Sequence, residues 1–193
     1  MTAHGRVGRR VVIGVGNEFR RDDGVGPAVI ERLRGQVPAE VELVISDGDP
    51  VRLMEALSNA SLAVVVDAVR AHPPQPGRRH RFVVGGDHRA PGGDRAPGGD
   101  RAPGGDRVAR GMDDGATRDR APTVASTQVA STHGLGLDAA LGLAQALDRM
   151  PDRLIVHAIE AAELSHGVGM TPRVTAAVSE AAAAVRRDIM SAP

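Results

Sequence analysis

Acidic residues stand in or beside apolar runs that are typical of buried strands. Asp22 and Asp23 follow the run 11–15 in the stretch IGVGNEFRRDDGVG, and Asp67 interrupts the otherwise apolar run AVVVDAV. Burying a carboxylate costs roughly several kcal/mol unless hydrogen bonds, a charge partner or a metal compensate for it. The alternatives are a helix N-cap for Asp23 and a hydrogen-bonded structural aspartate for Asp67. Pro27 favours the first helical position, which predicts Asp23 in the preceding loop.

A histidine in a glycine-flanked loop is the third candidate. His133 lies in STHGLGL, directly before a segment with helical periodicity at 134–149. A capping or solvent-facing histidine is the alternative. His157 lies within an apolar run and is predicted to be a packed core histidine, whereas His166 is a weaker rival in a later loop.

Asp23, Asp67 and His133 together offer two carboxylates and one imidazole. Carboxylates ~5 Å apart repel by roughly 3 kcal/mol at an effective dielectric of 20, and a divalent cation turns that repulsion into attraction. Oxygen and imidazole ligands suit zinc or nickel, and three protein ligands leave a position open for water or substrate. The same carboxylates are candidates for general-base catalysis. The sequence contains neither HExxH nor GxSxG, so no single short motif assigns the chemistry.

The apolar runs and helical patterns around these residues predict an α/β protein with a doubly wound, largely parallel sheet. Uninterrupted β-branched runs are typical of strands covered by helices on both faces, and helical patterns alternate with them. Such alternation implies right-handed crossovers and brings the carboxyl ends of the strands, where ligands bind, to one edge. The predicted strands are 11–15, 41–45, 62–69 and 153–159, with a weaker candidate at 79–85, and the predicted helices are 27–34, 50–58, 134–149 and 172–190.

Residues 86–122 differ in composition from the rest of the chain. The hexapeptide RAPGGD occurs three times in succession there and offers only alanine for burial. Such a segment cannot offset an ordering entropy of roughly 1–2 kcal/mol per residue, which predicts a disordered insertion. The closure entropy of a flexible loop rises by only about 0.6 kcal/mol per doubling of its length, so a single domain over 1–193 tolerates it.

Composition argues against several function classes. The 24 basic and 24 acidic residues balance, unlike those of a general nucleic-acid binder. The sequence has no cysteine, which excludes a thiol nucleophile, and no lysine, which excludes a Schiff base and a Walker-type phosphate loop. In GVGNEF, Phe19 stands where a dinucleotide-binding fingerprint needs its third glycine, which argues against dinucleotide binding. No apolar run approaches the ~20 residues of a membrane span, and the chain is predicted to be cytoplasmic without membrane insertion.

Five separated segments resemble a known family. In order, VVIGVGNEFRRDDGVGPAVIERL, VISDGDP, AVVVDAV, STHGLGL and VHAIEAAELSHGVGMTPRV are similar to the hydrogenase maturation endopeptidases. These enzymes trim the C-terminal extension from the large subunit of nickel-iron hydrogenases after nickel insertion. The resemblance implies a three-layer α/β/α sandwich around a five-stranded, mostly parallel sheet with one antiparallel strand, 79–85.

The same resemblance implies roles for single residues. Asp23, Asp67 and His133 contact a divalent metal, Asp23 and Asp67 are catalytic, and Asp47 with Gly48 forms a loop that contacts the substrate. The partner is then a hydrogenase large-subunit precursor, and the metal is chiefly the nickel that the precursor carries. Zinc or another divalent ion is a candidate occupant in the free protein. A non-catalytic module that binds the metal or the precursor is the alternative function.

Overall fold

Six strands and four α-helices make up the part of the chain that the structure, a computed structural model, describes: residues 8–84, 129–131 and 134–191. A short 3₁₀ helix, Arg21–Gly24, precedes the first α-helix. In chain order the elements are β1 (Arg10–Val15), α1 (Val25–Leu33), β2 (Val41–Ser46), α2 (Pro50–Leu57), β3 (Leu62–Ala71), β4 (Arg79–Val84), β5 (Val129–Ser131), α3 (Gly134–Ala146), β6 (Leu154–Glu160) and α4 (Pro172–Met190).

The strands form one mixed sheet in the order β2-β1-β3-β6-β4, and β5 pairs with β3 outside this path. β1 is parallel to β2 and to β3, and β6 is parallel to β3. β4 runs antiparallel to β6. The predicted five-stranded, mostly parallel sheet with an antiparallel strand at 79–85 is therefore confirmed. The additional β5 was not predicted, because three residues are too few to show a periodic pattern.

Helices cover both faces of this sheet. Successive residues of a strand point to opposite faces, and the two faces of β1 belong to two separate core clusters. Val12 clusters with residues of α1 and with Val185 of α4. Ile13 clusters with Leu53 of α2 and Ala144 of α3. The three layers of the predicted α/β/α sandwich are thereby confirmed.

A topological switch point lies between β1 and β3. The crossover through α1 carries the chain from β1 to β2, and the crossover through α2 returns it past β1 to β3. α1 and α2 pack on opposite faces of the sheet. In open α/β sheets, ligands bind outside the carboxyl ends of the strands at such a point. Asp23 follows β1 and Asp67 lies on β3, so both candidate acids flank it.

Two element boundaries near this edge differ from the sequence prediction. α1 begins at Val25, ahead of the predicted start at 27, because a proline in the first helical turn gives up only an N–H that has no partner within the helix. β3 continues to Ala71, past the predicted end at 69, because β5 pairs with its extension. Asp67 therefore lies inside the strand, one residue past Val66, the last β3 residue that pairs with β1.

The predicted insertion at 86–122 lies outside the described residues, and its disorder stays a prediction. The described residues belong to one compact unit, Met1–Gly86 with Gln128–Pro193. None of the helices in the described ranges is both long enough and apolar enough to cross a membrane.

His157 is buried in the core, as predicted, and connects β6 to α4. Its ring is fully buried, and Nε2 lies 2.8 Å from Oδ2 of Asp188. Burial lowers the pKa of His157 because it disfavours the imidazolium, and the hydrogen bond to Asp188 only partly offsets this effect. Burial would raise the pKa of Asp188, but hydrogen bonds from Arg81 and His157 outweigh it and lower that pKa.

Acid is expected to destabilise the protein through His157. Because its pKa is lower in the folded than in the unfolded chain, the folded chain binds fewer protons. The stabilisation is fully present above the ordinary pKa of 6.5 and is lost as the pH falls through the folded value. Urea unfolding between about pH 7.5 and pH 5 should show a larger loss of unfolding free energy for the wild type than for His157→Gln. His166→Gln, on an exposed loop, should retain the wild-type loss, and an equal loss in His157→Gln would contradict the assignment.

Candidate active site

Asp23 is buried in the 3₁₀ helix and does not cap α1. Gly24 occupies the N-cap position of α1, where no side chain makes a capping hydrogen bond. Asp23 is only 1% exposed, and its Oδ2 accepts a hydrogen bond of 3.0 Å from the backbone N–H of Asn17. Asp23 lies ahead of the helix cap, but in the 3₁₀ helix and not in the predicted loop, because the chain makes a further hydrogen-bonded turn before α1. Its carboxylate is held close to the end of β1.

Asp22, the adjacent acid, has a structural role. It is fully buried, and its two oxygens accept four hydrogen bonds. The donors are the backbone N–H groups of Ala162 (2.8 Å), Glu163 (3.0 Å) and Thr171 (2.6 Å) and the hydroxyl of Thr171 (2.9 Å). All of them lie between β6 and α4, so Asp22 fastens the 3₁₀ helix to that segment. The two neighbouring aspartates therefore differ in their contacts: Asp22 bonds the segment before α4, and Asp23 bonds the loop after β1.

Asp67 lies at the centre of the sheet. It is 1% exposed, within a stretch of β3, Leu62–Val69, in which every residue is buried. On one side it pairs with Ala158 of β6. On the other side the pairing with β1 ends one residue earlier, where Val66 lies opposite Gly14. Asp67 thus flanks the switch point at the level where β1 ends.

The elements that carry Asp23 and Asp67 are in contact. The 3₁₀ helix contacts β3, and Gly26 lets the first turn of α1 approach both strands. A Cβ at Gly26 would collide with the carbonyl oxygen of Val15 and would lie 2.9 Å from that of Val66. Because only glycine permits this approach, the glycine-rich turn after Asp23 brings the two buried acids to one edge of the sheet.

His133 lies outside the described residues, and its predicted role stays a prediction. Its described neighbours in the sequence lie at the same edge. Ser131, the last residue of β5, pairs with Val69 of β3. Gly136, in the first turn of α3, approaches the loop after β2 so closely that a Cβ there would collide with the carbonyl oxygen of Gly48.

The residues that the structure describes include no group of three His, Cys, Asp or Glu side chains placed to hold a metal ion. His133 is not among them, so the structure describes two of the three predicted metal ligands, Asp23 and Asp67. His166, the weaker candidate, is exposed in the loop before α4 and belongs to no such group.

The predicted substrate loop, Asp47–Gly48, follows β2 at the same edge. Asp47 is exposed and lines a surface groove together with Asn17. Gly48 has a φ of +91°, a conformation that favours glycine. The next acid, Asp49, caps α2, since its Oδ1 accepts a hydrogen bond of 2.9 Å from the backbone N–H of Arg52. Asp47 is therefore the acid of this loop that lines the groove.

Asn17 is a positioning residue to which sequence reasoning assigned no role. Its backbone N–H holds the Asp23 carboxylate, and its side-chain Oδ1 accepts a hydrogen bond of 2.9 Å from the backbone N–H of Phe19. An asparagine that accepts from the N–H two residues later forms a side-chain-closed turn. The signal in the sequence was thus an asparagine directly after Gly16, the glycine that follows β1.

Comparisons with known proteins agree with this fold and with the sequence pattern. A family model described as HycI, hydrogenase maturation protease, matches residues 116–188. The hydrogenase maturating endopeptidase HybD from Escherichia coli superposes with a TM-score of 0.65 at 19% identity, over 94% of this chain and 92% of that one. The [NiFe] hydrogenase maturation protease HybD from Thermococcus kodakarensis gives 0.64 at 19% identity, over 94% and 99%. No curated protein matches the chain.

The resemblance to the hydrogenase maturation endopeptidases is confirmed. At this identity the superpositions establish the fold, and the family match adds a sequence relationship over α3, β6 and α4. The matched segment contains His133 and the donors that hold Asp22. Asp23 and Asp67 precede that segment, so their assignment depends on the geometry of the switch point.

Proposed function

We propose that the chain is an endopeptidase that removes the C-terminal extension of a nickel-iron hydrogenase large-subunit precursor. The family match and the fold shared with the two HybD proteins support a peptidase of this kind. The observation that carries the proposal is the pair of buried aspartates, Asp23 and Asp67, on contacting elements at the switch point. Carboxylates in such a place have the chemistry either to ligate a divalent ion or to take a proton from the attacking water.

Nickel in the precursor is proposed to be recognised as part of the substrate. Asp23, Asp67 and His133 would contact it, because two anionic oxygens and one imidazole suit a borderline divalent ion. A cation between two carboxylates removes their mutual repulsion, so a loaded precursor gains binding free energy that an empty precursor lacks. Selection of loaded precursor then depends on a required favourable contact. Zinc or another divalent ion is the proposed occupant of this set in the free protein.

The partner and the location follow from the same proposal. The precursor would contact Asp47 and Gly48, which lie at the edge that carries Asp67 and close to the start of α3. A cytoplasmic location is proposed, and the cysteine-free sequence is compatible with a reducing compartment.

Removal of nickel from the precursor is expected to stop its processing. A contact worth about 3 kcal/mol in the transition state changes the rate by about 100-fold, so nickel-free precursor should be cleaved at least about 100-fold more slowly than loaded precursor. Purified protein is mixed with each form, and loss of the C-terminal extension is followed by intact mass. Reloading the same nickel-free preparation should restore cleavage, which controls for damage to the precursor.

A non-catalytic binding module is the alternative that the same experiment separates. Stable co-elution of the protein with loaded precursor, without any loss of mass, would support the binding module and contradict the proposed peptidase. Equal cleavage of loaded and nickel-free precursor would keep the peptidase and reject the recognition of nickel.

A further inference from the structure

A groove of about 670 Å³ opens beside the candidate active site. Its walls are the loop after β1, the first turns of α1, the end of β2 and the loop before α4. Asn17 and Asp47 belong to its lining. Because the backbone N–H of Asn17 bonds the carboxylate of Asp23, the loop that lines the groove is also the loop that holds this candidate acid.

Three apolar side chains line this groove and remain in contact with solvent. Phe19 is 62% exposed, Val168 73% and Ile45 46%. The chain has two phenylalanines and neither tyrosine nor tryptophan, so Phe19 represents half of its aromatic side chains. Leaving such a side chain in water forgoes the free energy that its burial would contribute. Clustered exposure of this kind is typical of a surface that a partner covers.

The loops that carry Phe19 and Val168 are bonded to each other. The carbonyl oxygen of Phe19 accepts a hydrogen bond of 2.8 Å from the N–H of Gly167, and the carbonyl oxygen of Gly167 accepts one of 2.9 Å from the N–H of Arg21. The Arg21 guanidinium also donates to the carbonyl oxygen of Val168 at 3.3 Å. The apolar surface is therefore formed before any ligand arrives, which reduces the entropy cost of binding.

The charged side chains of the groove are mostly acidic. Its lining includes three carboxylates and one guanidinium, those of Glu18, Glu31, Asp47 and Arg21. Arg21 and Glu31 each have an oppositely charged neighbour, Glu163 at 3.9 Å and Arg34 at 2.8 Å. The other two acids make no ion pair with another residue in the described ranges. The groove therefore has an excess of negative charge around an apolar floor.

We infer that the groove binds an extended polypeptide segment of the precursor that carries apolar side chains next to basic ones. The apolar side chains cover Phe19, Ile45 and Val168, and the basic ones complement the acidic rim. The loop after β1 both lines the groove and bonds the Asp23 carboxylate, so a segment in the groove lies next to the loop that holds this acid. The inference rests on the proposed function for the identity of the partner.

Peptide titration tests the chemistry of the occupant without any cleavage. The probe is a 12-residue peptide that combines valine and arginine; one control replaces arginine with glutamate, and another replaces valine with serine. In NMR titrations of the wild-type protein, the valine-arginine peptide should shift the amide signals of 16–21 and 168–170, and each control should bind at least about tenfold more weakly. Equal binding of all three peptides, or shifts confined to other surfaces, would overturn the inference. Shifts of 16–21 and 168–170 that grow with protein concentration alone would instead assign this face to self-association.

Two variants with a matched control locate the binding surface. Phe19→Ser and Val168→Ser should each weaken binding of the valine-arginine peptide by about tenfold, as for a residue at the centre of an interface. Val83→Ser, at an exposed valine of the edge strand β4, should leave binding unchanged. Circular dichroism of all three variants checks that they are folded, and unchanged binding by folded Phe19→Ser and Val168→Ser would reject the groove.

Cleavage of the loaded precursor separates failure of this inference from failure of the proposed function. Phe19→Ser should raise KM about tenfold and leave kcat within about threefold, because the side chain contributes binding away from the reacting atoms. Wild-type cleavage with an unchanged KM in Phe19→Ser would reject the groove and keep the peptidase. Specific peptide binding without any precursor cleavage would keep a peptide-binding groove and reject the peptidase.

Discussion

Replacing Asp67 with asparagine is expected to slow cleavage of the nickel-loaded precursor by at least about 100-fold while the protein stays folded. Asparagine has nearly the shape of aspartate, but its amide neither takes a proton from water nor offers an anionic ligand. Asp67 lies 1% exposed in a fully buried stretch of β3, where a carboxylate is costly unless it is compensated. The change is nearly isosteric and leaves no cavity in this stretch, so the variant should stay folded.

The rate of mass loss from the loaded precursor measures this effect. Asp152→Asn is a matched control, because Asp152 is an exposed aspartate just before β6, at the opposite edge of the sheet from the carboxyl ends. Thermal unfolding of both variants excludes misfolding as the cause of a lost rate. Cleavage by folded Asp67→Asn within about threefold of the wild-type rate would reject Asp67 as a catalytic residue.

Precursor binding by the same variant separates the two chemistries open to Asp67. If the carboxylate is mainly a ligand of the substrate's nickel, Asp67→Asn should bind loaded precursor more weakly and no longer distinguish it from nickel-free precursor. If it is mainly a general base, loaded precursor should still bind tightly and only the cleavage step should be lost.

The architecture could be predicted from the sequence because local patterns determine it. Apolar, β-branched runs have a recognisable composition, and the four strands predicted from them are present, as is the weaker candidate at 79–85. The antiparallel direction of the strand at 79–85 came from the family resemblance, since periodicity carries no information on strand direction. The three-residue β5 and the extension of β3 to Ala71 depend on pairing with each other, and such pairing leaves no local pattern.

The candidate site could be predicted only in part, because a buried acid has the same local signal whatever its role. Glu160 stands in an apolar run as Asp67 does, and it is 2% exposed. Yet Glu160 is accounted for within the fold: its Oε1 lies 2.7 Å from Nε2 of His80, and its Oε2 accepts a hydrogen bond of 2.6 Å from the N–H of Gln75. These partners lie about 80 positions away along the chain, and no single sequence displays such contacts.

Position relative to the switch point separates these acids more clearly than burial does. Asp67 lies where the pairing of β3 with β1 ends, whereas Glu160 is the last residue of β6, a strand that is not adjacent to β1. Asp22 and Asp23 are adjacent, and the sequence alone does not tell which of them is structural. Only the donors between β6 and α4 identify Asp22 as the structural acid.

Replacing Asp22 with asparagine is expected to lower the unfolding free energy by about 2–4 kcal/mol. Oδ1 accepts from the N–H of Thr171, and Oδ2 accepts from the N–H groups of Ala162 and Glu163 and from the Thr171 hydroxyl. An asparagine side chain has one oxygen, so either orientation points its NH₂ group at a backbone donor. At least one buried N–H then loses its acceptor and meets a second donor, which costs about 1–3 kcal/mol for each unsatisfied group.

Urea unfolding of three variants tests whether these hydrogen bonds are the cause. Thr171→Val removes a single donor and should cost about 0.5–1.5 kcal/mol, clearly less than Asp22→Asn. Asp138→Asn, on the exposed side of α3, should stay within about 0.5 kcal/mol of the wild type. A loss in Asp22→Asn no larger than that in Asp138→Asn would mean that the segment between β6 and α4 does not depend on the Asp22 carboxylate. The turn that carries Asp23 would then be held to this segment mainly by backbone hydrogen bonds. In these, the N–H of Gly167 donates to Phe19 and the carbonyl oxygen of Gly167 accepts from Arg21.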